Sequence, residues 1–172
     1  MDTLRKFIGT LFLLWATLGV VSASGLTPPL PNGQLVGQGQ FSRFGFSVYQ
    51  AQLWAPLGRY AADEPFALSL TYSREILGAK LVQASLDEMQ KLQMPATQTK
   101  EWRAALERVL PDVLPGDSIT GVYHPGQGAV FFHRQQQTGK IEDELAKYFF
   151  AIWLDPRTSE PGLRQALLGG RQ

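Results

Sequence analysis

The side chains best suited to bind or polarise a ligand are arginines and tyrosines that stand among apolar residues. They are Arg43, Tyr49, Tyr72, Arg74 and Tyr123. In an apolar cleft, arginine and tyrosine can hold a carboxylate or phenolate by charge-assisted hydrogen bonds, and can also stabilise an oxyanion that develops in a reaction. Each could equally reach the surface or form a structural ion pair. Arg43, flanked by phenylalanines, is the better ligand candidate, whereas Arg74 at a strand-to-helix junction favours a structural role.

Other patterns for catalysis or cofactor binding fail their tests. The chain has no cysteine, which excludes disulfides, thiolate metal sites and cysteine nucleophiles. His124 and His133 lie about 13 Å apart along a predicted hairpin, too far to share a metal ion. There is no GxSxG or HExxH motif. The glycines of GQGQFS, residues 37–42, precede no suitable helix, so they predict a bent strand or a close backbone approach and no dinucleotide site. We therefore predict no metal and no cofactor.

The elements that must position these residues begin with strands. Residues 44–54 are rich in aromatic and β-branched residues, with Gly45 as a bend or bulge. Residues 66–72 alternate well, which predicts a strand with one buried face. Residues 118–124 and 129–134 predict a hairpin around a Pro-Gly-Gln-Gly turn, and residues 135–139 a polar turn.

Helical periodicity dominates the remainder of the chain. Apolar stripes predict helices over residues 76–93 and 99–110, and a broadly apolar one follows from Ile141. Asp155-Pro156 ends that third helix, and Thr158 or Ser159 could cap a short fourth one. Strands, then a helix pair, then a hairpin and further helices predict an α+β fold with a mostly antiparallel sheet and helices on one face.

The first residues are typical of a secretion signal. Arg5 and Lys6 precede an apolar stretch over residues 7–21, and a small-residue cleavage site ends at Ala23. We therefore expect residues 1–23 to be a signal peptide, 24–34 a linker and 35–170 one domain. A transmembrane anchor is the alternative, but the run is shorter than the roughly 20 residues that span a bilayer. A cysteine-free exported domain suits a bacterial periplasm.

Formal charge limits the partners. The net charge is +1 and no run of like charges occurs. A nucleic-acid-binding protein would show a basic stripe, so nucleic acid is not an expected partner. With no second apolar segment after the signal, we expect no membrane span in the mature chain.

Three blocks carry a resemblance to a known family. FFAIWLDPRTSEPGLRQALLG near the end, PDVLPGDSITGVYHPGQGAVFFH before it and GFSVYQAQLWAP near the start resemble the bacterial chalcone isomerase-like proteins. These are relatives of plant chalcone–flavanone isomerase and of plastid fatty-acid-binding proteins. The resemblance extends from Leu35 to Gly169. It implies an open-faced β-sandwich of chalcone isomerase type, in which a layer of helices covers a large antiparallel sheet.

The resemblance also implies where a site would lie. In the plant enzymes an arginine after a glycine-rich turn, and a threonine on the next strand, support closure of a chalcone. The threonine position falls on Tyr49, and the arginine position falls near Gln40 or Phe41, neither of which carries a guanidinium. A shift of two residues would leave Arg43 on the same strand face. In the fatty-acid-binding relatives an arginine and a tyrosine hold the carboxylate, a role that Arg43 and Tyr49 suit.

Three functions follow as hypotheses. The first is binding of a small apolar acid, a fatty acid or an aromatic acid, without turnover, with Arg43, Tyr49 and Tyr72 as ligand-binding residues. The second is an isomerase or intramolecular lyase acting on a chalcone-like or other enone substrate, with Arg43 and Tyr49 as catalytic residues. The third is an interaction protein that uses exposed aromatic residues such as Trp54.

Overall fold

The computed structural model describes residues 30–170, and the predicted signal peptide lies outside them. Six strands form one antiparallel sheet in which each strand pairs with its neighbour in the chain. The strands are β1 (Gly33–Arg43), β2 (Phe46–Pro56), β3 (Phe66–Tyr72), β4 (Ser118–His124), β5 (Gly128–His133) and β6 (Gln136–Ile141). β1 begins two residues before the predicted start of the domain.

Four helices cover one face of this sheet. They are α1 (Gly78–Lys91), α2 (Thr99–Val109), α3 (Asp143–Leu154) and α4 (Pro161–Leu167). Within the described part of the chain, no helix is both long enough and apolar enough to cross a membrane. The predicted α+β class, with an antiparallel sheet under a helical layer, is confirmed.

The core lies between sheet and helices. The alternation of apolar residues in β3 correctly predicted its buried face. Every second residue points into this core, and all are at most 7% exposed: Phe66, Leu68, Leu70 and Tyr72. α1, α2 and α3 contribute the apolar stripes that their spacing predicted, such as Val82, Leu86 and Met89 of α1. α3 is apolar on more of its circumference because it packs against both the sheet and α1.

The opposite face of the sheet is largely open. A small cluster lies there, formed by Leu30, Ala67 and Val122 with Trp54 packed against them. Trp54 is therefore partly buried, and the prediction that it is an exposed contact residue is wrong. The exposed aromatic residues are Phe44 and Phe46, 87% and 69% exposed, at the β1–β2 turn.

Several local predictions need correction. Residues 135–139, predicted as a polar turn, lie mostly in strand β6. Pairing with β5 supplies the backbone hydrogen bonds of this strand, and no alternating apolar pattern in the sequence indicated it. Gly45 is neither a bend within a strand nor a bulge. Phe44 and Gly45 have φ of 52° and 80° and form the two-residue turn between β1 and β2. The bulge lies instead where Phe41 pairs with Tyr49 and Ser42 with Ser47.

In the β4–β5 hairpin, a turn centred on Gly126 and Gln127 predicts that His133 faces Thr120. The observed register differs by one residue, and His133 faces Ile119. The joint after α3 also differs. Glu160 precedes α4 without a side-chain cap. The Thr158 hydroxyl instead donates to the Ile152 carbonyl at 2.5 Å and accepts from the Glu160 amide at 3.2 Å.

Close packing of α4 against β1 explains the glycines of GQGQFS. A Cβ on Gly37 would lie 2.1 Å from the Ala166 carbonyl oxygen, and one on Gly39 would lie 2.7 Å from the Leu163 side chain. Only glycine lets the helix come this near to the strand. The predicted close backbone approach is confirmed.

Candidate functional site

Three aromatic rings lie side by side at one end of the sheet, where β1, β2 and β3 are neighbours. Phe41 pairs with Tyr49, and Tyr49 pairs with Tyr72. The Phe41 ring stacks on Tyr49 with centroids 5.1 Å apart, and Tyr72 meets Tyr49 edge-on at 6.0 Å. The rings share the helix-covered face, and we call Tyr49 and Tyr72 the tyrosine pair.

The two hydroxyls of the tyrosine pair differ in their partners. The Tyr49 hydroxyl accepts a 3.0 Å hydrogen bond from the indole Nε1 of Trp153 on α3. Among the described residues no side chain hydrogen-bonds the Tyr72 hydroxyl, although Tyr72 is only 4% exposed. No fully buried side-chain oxygen or nitrogen lacks a partner, so the Tyr72 hydroxyl must reach a small solvent-accessible space.

Burial keeps both phenols in their neutral form. Desolvation raises the pKa of Tyr49 well above its usual value, although the hydrogen bond from Trp153 acts in the other direction. Desolvation also raises the pKa of Tyr72, and the neighbouring Tyr49 adds to this. At neutral pH the pair therefore presents O–H groups, which can donate to a ligand oxygen.

Arg43 lies at the rim of this region. It is the last residue of β1, its side chain is exposed, and its guanidinium carbon is 5.4 Å from the centroid of the Phe44 ring. Burial alone would raise the pKa of Glu88 on α1, but hydrogen bonds from Lys91 and Ser159 and the charges of Lys91 and Arg43 lower it. Arg43 stands two residues after Phe41 on β1, and since alternate residues of a strand share a face, Arg43 lies on the side of the sheet that the helices cover. The structure thus brings Tyr49 and Tyr72 together and leaves Arg43 at their exposed edge.

The other two sequence candidates lie elsewhere. Arg74 is exposed after β3. Tyr123 lies at the opposite end of the sheet, where its hydroxyl donates to Asp143 at 2.9 Å. Desolvation, followed by this hydrogen bond, raises the pKa of Tyr123 to about 12.

The Gly-Asp pair that opens β4 forms a clamp between loops. Asp117 accepts from Nε of Arg134 at 2.6 Å, from its second guanidinium nitrogen at 2.8 Å and from the Leu114 amide at 2.8 Å. His133 Nε2 lies 3.3 Å from the same carboxylate. These hydrogen bonds, those from Arg134 foremost, hold the pKa of Asp117 far below its usual range. Because every carboxylate oxygen is bonded within the chain, the cluster is structural.

A cavity of about 360 Å³ opens at the Tyr123 end of the sheet. It lies between α3, the β2–β3 loop and the start of α4, and none of Arg43, Tyr49 and Tyr72 lines it. Tyr60 and Arg164 contribute its polar groups together with Lys147 and Asp155. Within residues 30–170, no group of three or more His, Asp or Glu side chains could hold a metal ion.

Sequence reasoning missed Trp153, Tyr60 and Arg164. Trp153 falls on the broad apolar face of α3, which predicts burial only, and its separation of 104 residues from Tyr49 gives no sign of the hydrogen bond. Tyr60 lies in a loop and Arg164 in a helix of seven residues, so neither has a periodic pattern that could reveal its neighbours. Only the fold brings them together.

The comparisons with known proteins agree with this architecture. A model of the chalcone isomerase-like family matches residues 31–169. A fatty-acid-binding protein of Arabidopsis thaliana has a similar structure, with a TM-score of 0.64 over 80% of this chain and 87% of that one. Its sequence identity is 12%, so the likeness shows the fold alone. No curated protein sequence matches the chain. The family match covers nearly all of the described residues, and the chain therefore belongs to the chalcone isomerase-like family.

Proposed function

We propose that this protein binds a small apolar acid, a fatty acid or an aromatic acid, between its sheet and its helices without turning it over. Tyr49 and Tyr72 donate hydrogen bonds to the carboxylate, and Arg43 at the rim supplies the opposite charge. The observation that carries this proposal is the Tyr72 hydroxyl, which is nearly buried yet has no side-chain partner among residues 30–170. Because this hydroxyl borders a small solvent-accessible space, a ligand oxygen that enters there would be its acceptor.

The two phenols suit an anionic oxygen as the partner, and the charge of Arg43 has to offset the nearby charges of Glu88 and Glu160. Both phenols stay protonated, because desolvation raises the pKa of each. A protonated phenol donates one hydrogen bond, and a carboxylate accepts several. The charge of Arg43 strengthens such bonds, and its exposed position lets it meet a ligand that enters past the β1–β2 turn.

Binding without turnover is supported by what the site lacks. The family's catalytic arginine position falls near Gln40 or Phe41, and the Phe41 ring is stacked on Tyr49. Of the two histidines, the usual general bases near neutral pH, His124 lies at the Tyr123 end of the sheet, and His133 lies 3.3 Å from the Asp117 carboxylate. The Tyr49 hydroxyl accepts a hydrogen bond from the Trp153 indole, so its own proton can be donated to a ligand oxygen.

We also propose export to the periplasm. It rests on the charged start, the apolar segment and the small residues before position 24, together with the absence of cysteine. N-terminal sequencing of the protein recovered from a periplasmic extract is expected to begin at Ser24. Recovery of the intact chain in the membrane fraction would contradict export with cleavage.

The test of binding is mass spectrometry of the protein purified from its native host under non-denaturing conditions. An apolar acid is expected to co-purify with the wild-type protein and to be reduced in Arg43→Ala and Tyr72→Phe. Incubation with 2′-hydroxychalcone, followed by its absorbance, tests the alternative isomerase function. Turnover above the buffer rate would contradict the proposal, and so would ligand retention that neither variant changes.

A further inference from the structure

The cavity at the Tyr123 end is separate from the tyrosine pair. Phe66, which lines it, is the first residue of β3, and Tyr72 is the last. Six residues of strand separate them, about 20 Å at 3.3 Å per residue. Leu68 and Leu70 fill the core between them. A ligand of the proposed tyrosine site therefore does not explain this cavity.

The floor of the cavity is apolar and aromatic. Phe66 meets Phe150 edge-on with centroids 5.0 Å apart and meets Tyr60 edge-on at 5.2 Å. Leu154 and Ala151 of α3 complete the apolar lining. Interlocked rings of this kind give a preformed surface, and about 360 Å³ lies at the lower end of the range for small-molecule sites.

One cation of the cavity has no carboxylate partner. Lys147 pairs with Asp143, and Arg157 pairs with Asp155. Among the described residues, no carboxylate oxygen lies within ion-pair distance of Arg164. Its Nε donates to the Leu154 carbonyl at 2.8 Å, which fixes the guanidinium at the cavity wall and leaves its terminal nitrogens as donors.

The neighbouring charges leave a net positive site. The Arg157 hydrogen bonds, together with the charges of Arg157 and Arg164, bring the pKa of Asp155 to about 2, so this carboxylate is ionised. The guanidinium groups of Arg157 and Arg164 both lie near the Asp155 carboxylate, which leaves one positive charge in excess. The Lys147–Asp143 pair adds no net charge. Tyr60 remains a neutral donor, because burial raises its pKa and the Arg164 charge only partly opposes this.

We propose that this cavity is a second binding site, for a compact aromatic carboxylate whose ring packs on Phe66 and Phe150 and whose anionic group meets Arg164 and Tyr60. An aromatic ring suits the edge-on phenylalanine floor, and a carboxylate matches the fork of guanidinium donors. The cavity requires no contribution from Arg43, Tyr49 or Tyr72, so the inference can be tested independently of the proposed function.

The test is a calorimetric titration of the full chain with 2-naphthoate and with the neutral 2-naphthamide. The titrations are made in Tyr72→Phe, so that binding at the tyrosine pair is weakened. We expect one 2-naphthoate per chain at this cavity, at least tenfold weaker binding of the amide, and at least a tenfold loss in Arg164→Gln. Ala62→Trp, which fills the exposed mouth of the cavity and leaves Arg164 in place, is expected to abolish binding without lowering the melting temperature. Arg108→Gln removes one exposed positive charge from α2 and is the matched control, with unchanged binding.

Three results would overturn the inference. They are a dissociation constant for 2-naphthoate above about 1 mM, equal affinity for acid and amide, and binding that survives both Arg164→Gln and Ala62→Trp. If Arg164→Gln lowers the melting temperature, the decision rests on Ala62→Trp, whose substituted side chain lies at the surface.

Discussion

The indole Nε1 of Trp153 donates a 3.0 Å hydrogen bond to the hydroxyl of Tyr49, a residue 104 positions earlier in the chain. This bond joins the last long helix, α3, to the strand that carries the proposed ligand-binding tyrosine. The C-terminal block that identifies the family thus also orients the site. It leaves Tyr49 with its own proton to donate, while the Tyr72 hydroxyl beside it has no side-chain partner in the part of the chain that the structure describes.

The Trp153–Tyr49 bond can be measured by a double-mutant cycle. Trp153→Phe leaves the Tyr49 hydroxyl without its donor, and Tyr49→Phe removes the acceptor. In urea unfolding we expect a coupling energy of about 1 kcal/mol between the two positions, the usual net value for a hydrogen bond inside a protein. If the two losses of unfolding free energy simply add, the bond contributes nothing and the orientation of Tyr49 has another cause.

Gly37 permits α4 to pack on β1. Gly37→Ala places a methyl group 2.1 Å from the Ala166 carbonyl oxygen, so we expect a loss of at least about 2 kcal/mol in unfolding free energy. Gly162→Ala in the first turn of α4 is the control, because nothing lies within 4 Å of its added Cβ. Helix propensity should make that variant neutral or up to about 1 kcal/mol more stable. Equal stability of the two variants would show that α4 does not approach β1 this closely.

The Asp117 clamp makes stability depend on pH in the acid range. Hydrogen bonds from Arg134 and Leu114 lower the pKa of Asp117 in the folded protein. Its contribution is therefore present above the unfolded pKa of about 3.9 and is lost as the pH falls towards the folded value. We expect the difference in urea midpoint between pH 7 and pH 3 to be smaller in Asp117→Asn than in the wild type. Asp63→Asn, in an exposed loop, should keep the wild-type difference. A full wild-type difference in Asp117→Asn would contradict this assignment.

Phe44 occupies a backbone conformation that suits other residues better. Its φ is 52°, and Asn-Gly is the preferred pair for a turn with two positive φ values. The ring is 87% exposed and gains only the contact with Arg43, worth about 0.5–1 kcal/mol at the surface. We expect Phe44→Asn to raise the unfolding free energy by up to about 1 kcal/mol, as relief of left-handed strain exceeds that loss. Phe46→Asn, at a regular strand position, should bring no gain. A clear loss in Phe44→Asn would indicate that the Arg43 contact is stronger than this.

Sequence patterns predicted the parts of the fold that bury an alternating or periodic face. β3 is the clearest case, because every second residue from Phe66 to Tyr72 points into the core. β6 escaped prediction because its residues are polar and mostly half-exposed or exposed. It is a strand because β5 gives its backbone hydrogen-bond partners, and the Thr138 hydroxyl adds a side-chain hydrogen bond to the Val109 carbonyl at the end of α2.

The candidate site was only partly accessible from sequence for a related reason. Tyr49 and Tyr72 could be named as ligand-binding candidates on two predicted strands, but only the observed register shows that they pair. The position of Arg43 depended on a bulge, which the structure places on β2 opposite Phe41 and Ser42. Arg164 and Tyr60 come together through the docking of a short helix beside a loop, and no local pattern records such a contact.

The most direct measurement of ligand binding at the tyrosine pair is a calorimetric titration of dodecanoate into the wild-type protein and Tyr72→Phe. Tyr148→Phe is the matched control, because it removes a phenol from α3 outside the proposed site. We expect dodecanoate to bind the wild type and the control alike and to bind Tyr72→Phe at least fivefold more weakly, since one charge-assisted hydrogen bond is lost. Equal affinity of Tyr72→Phe and wild type, or no binding of dodecanoate to either, would contradict the proposed function.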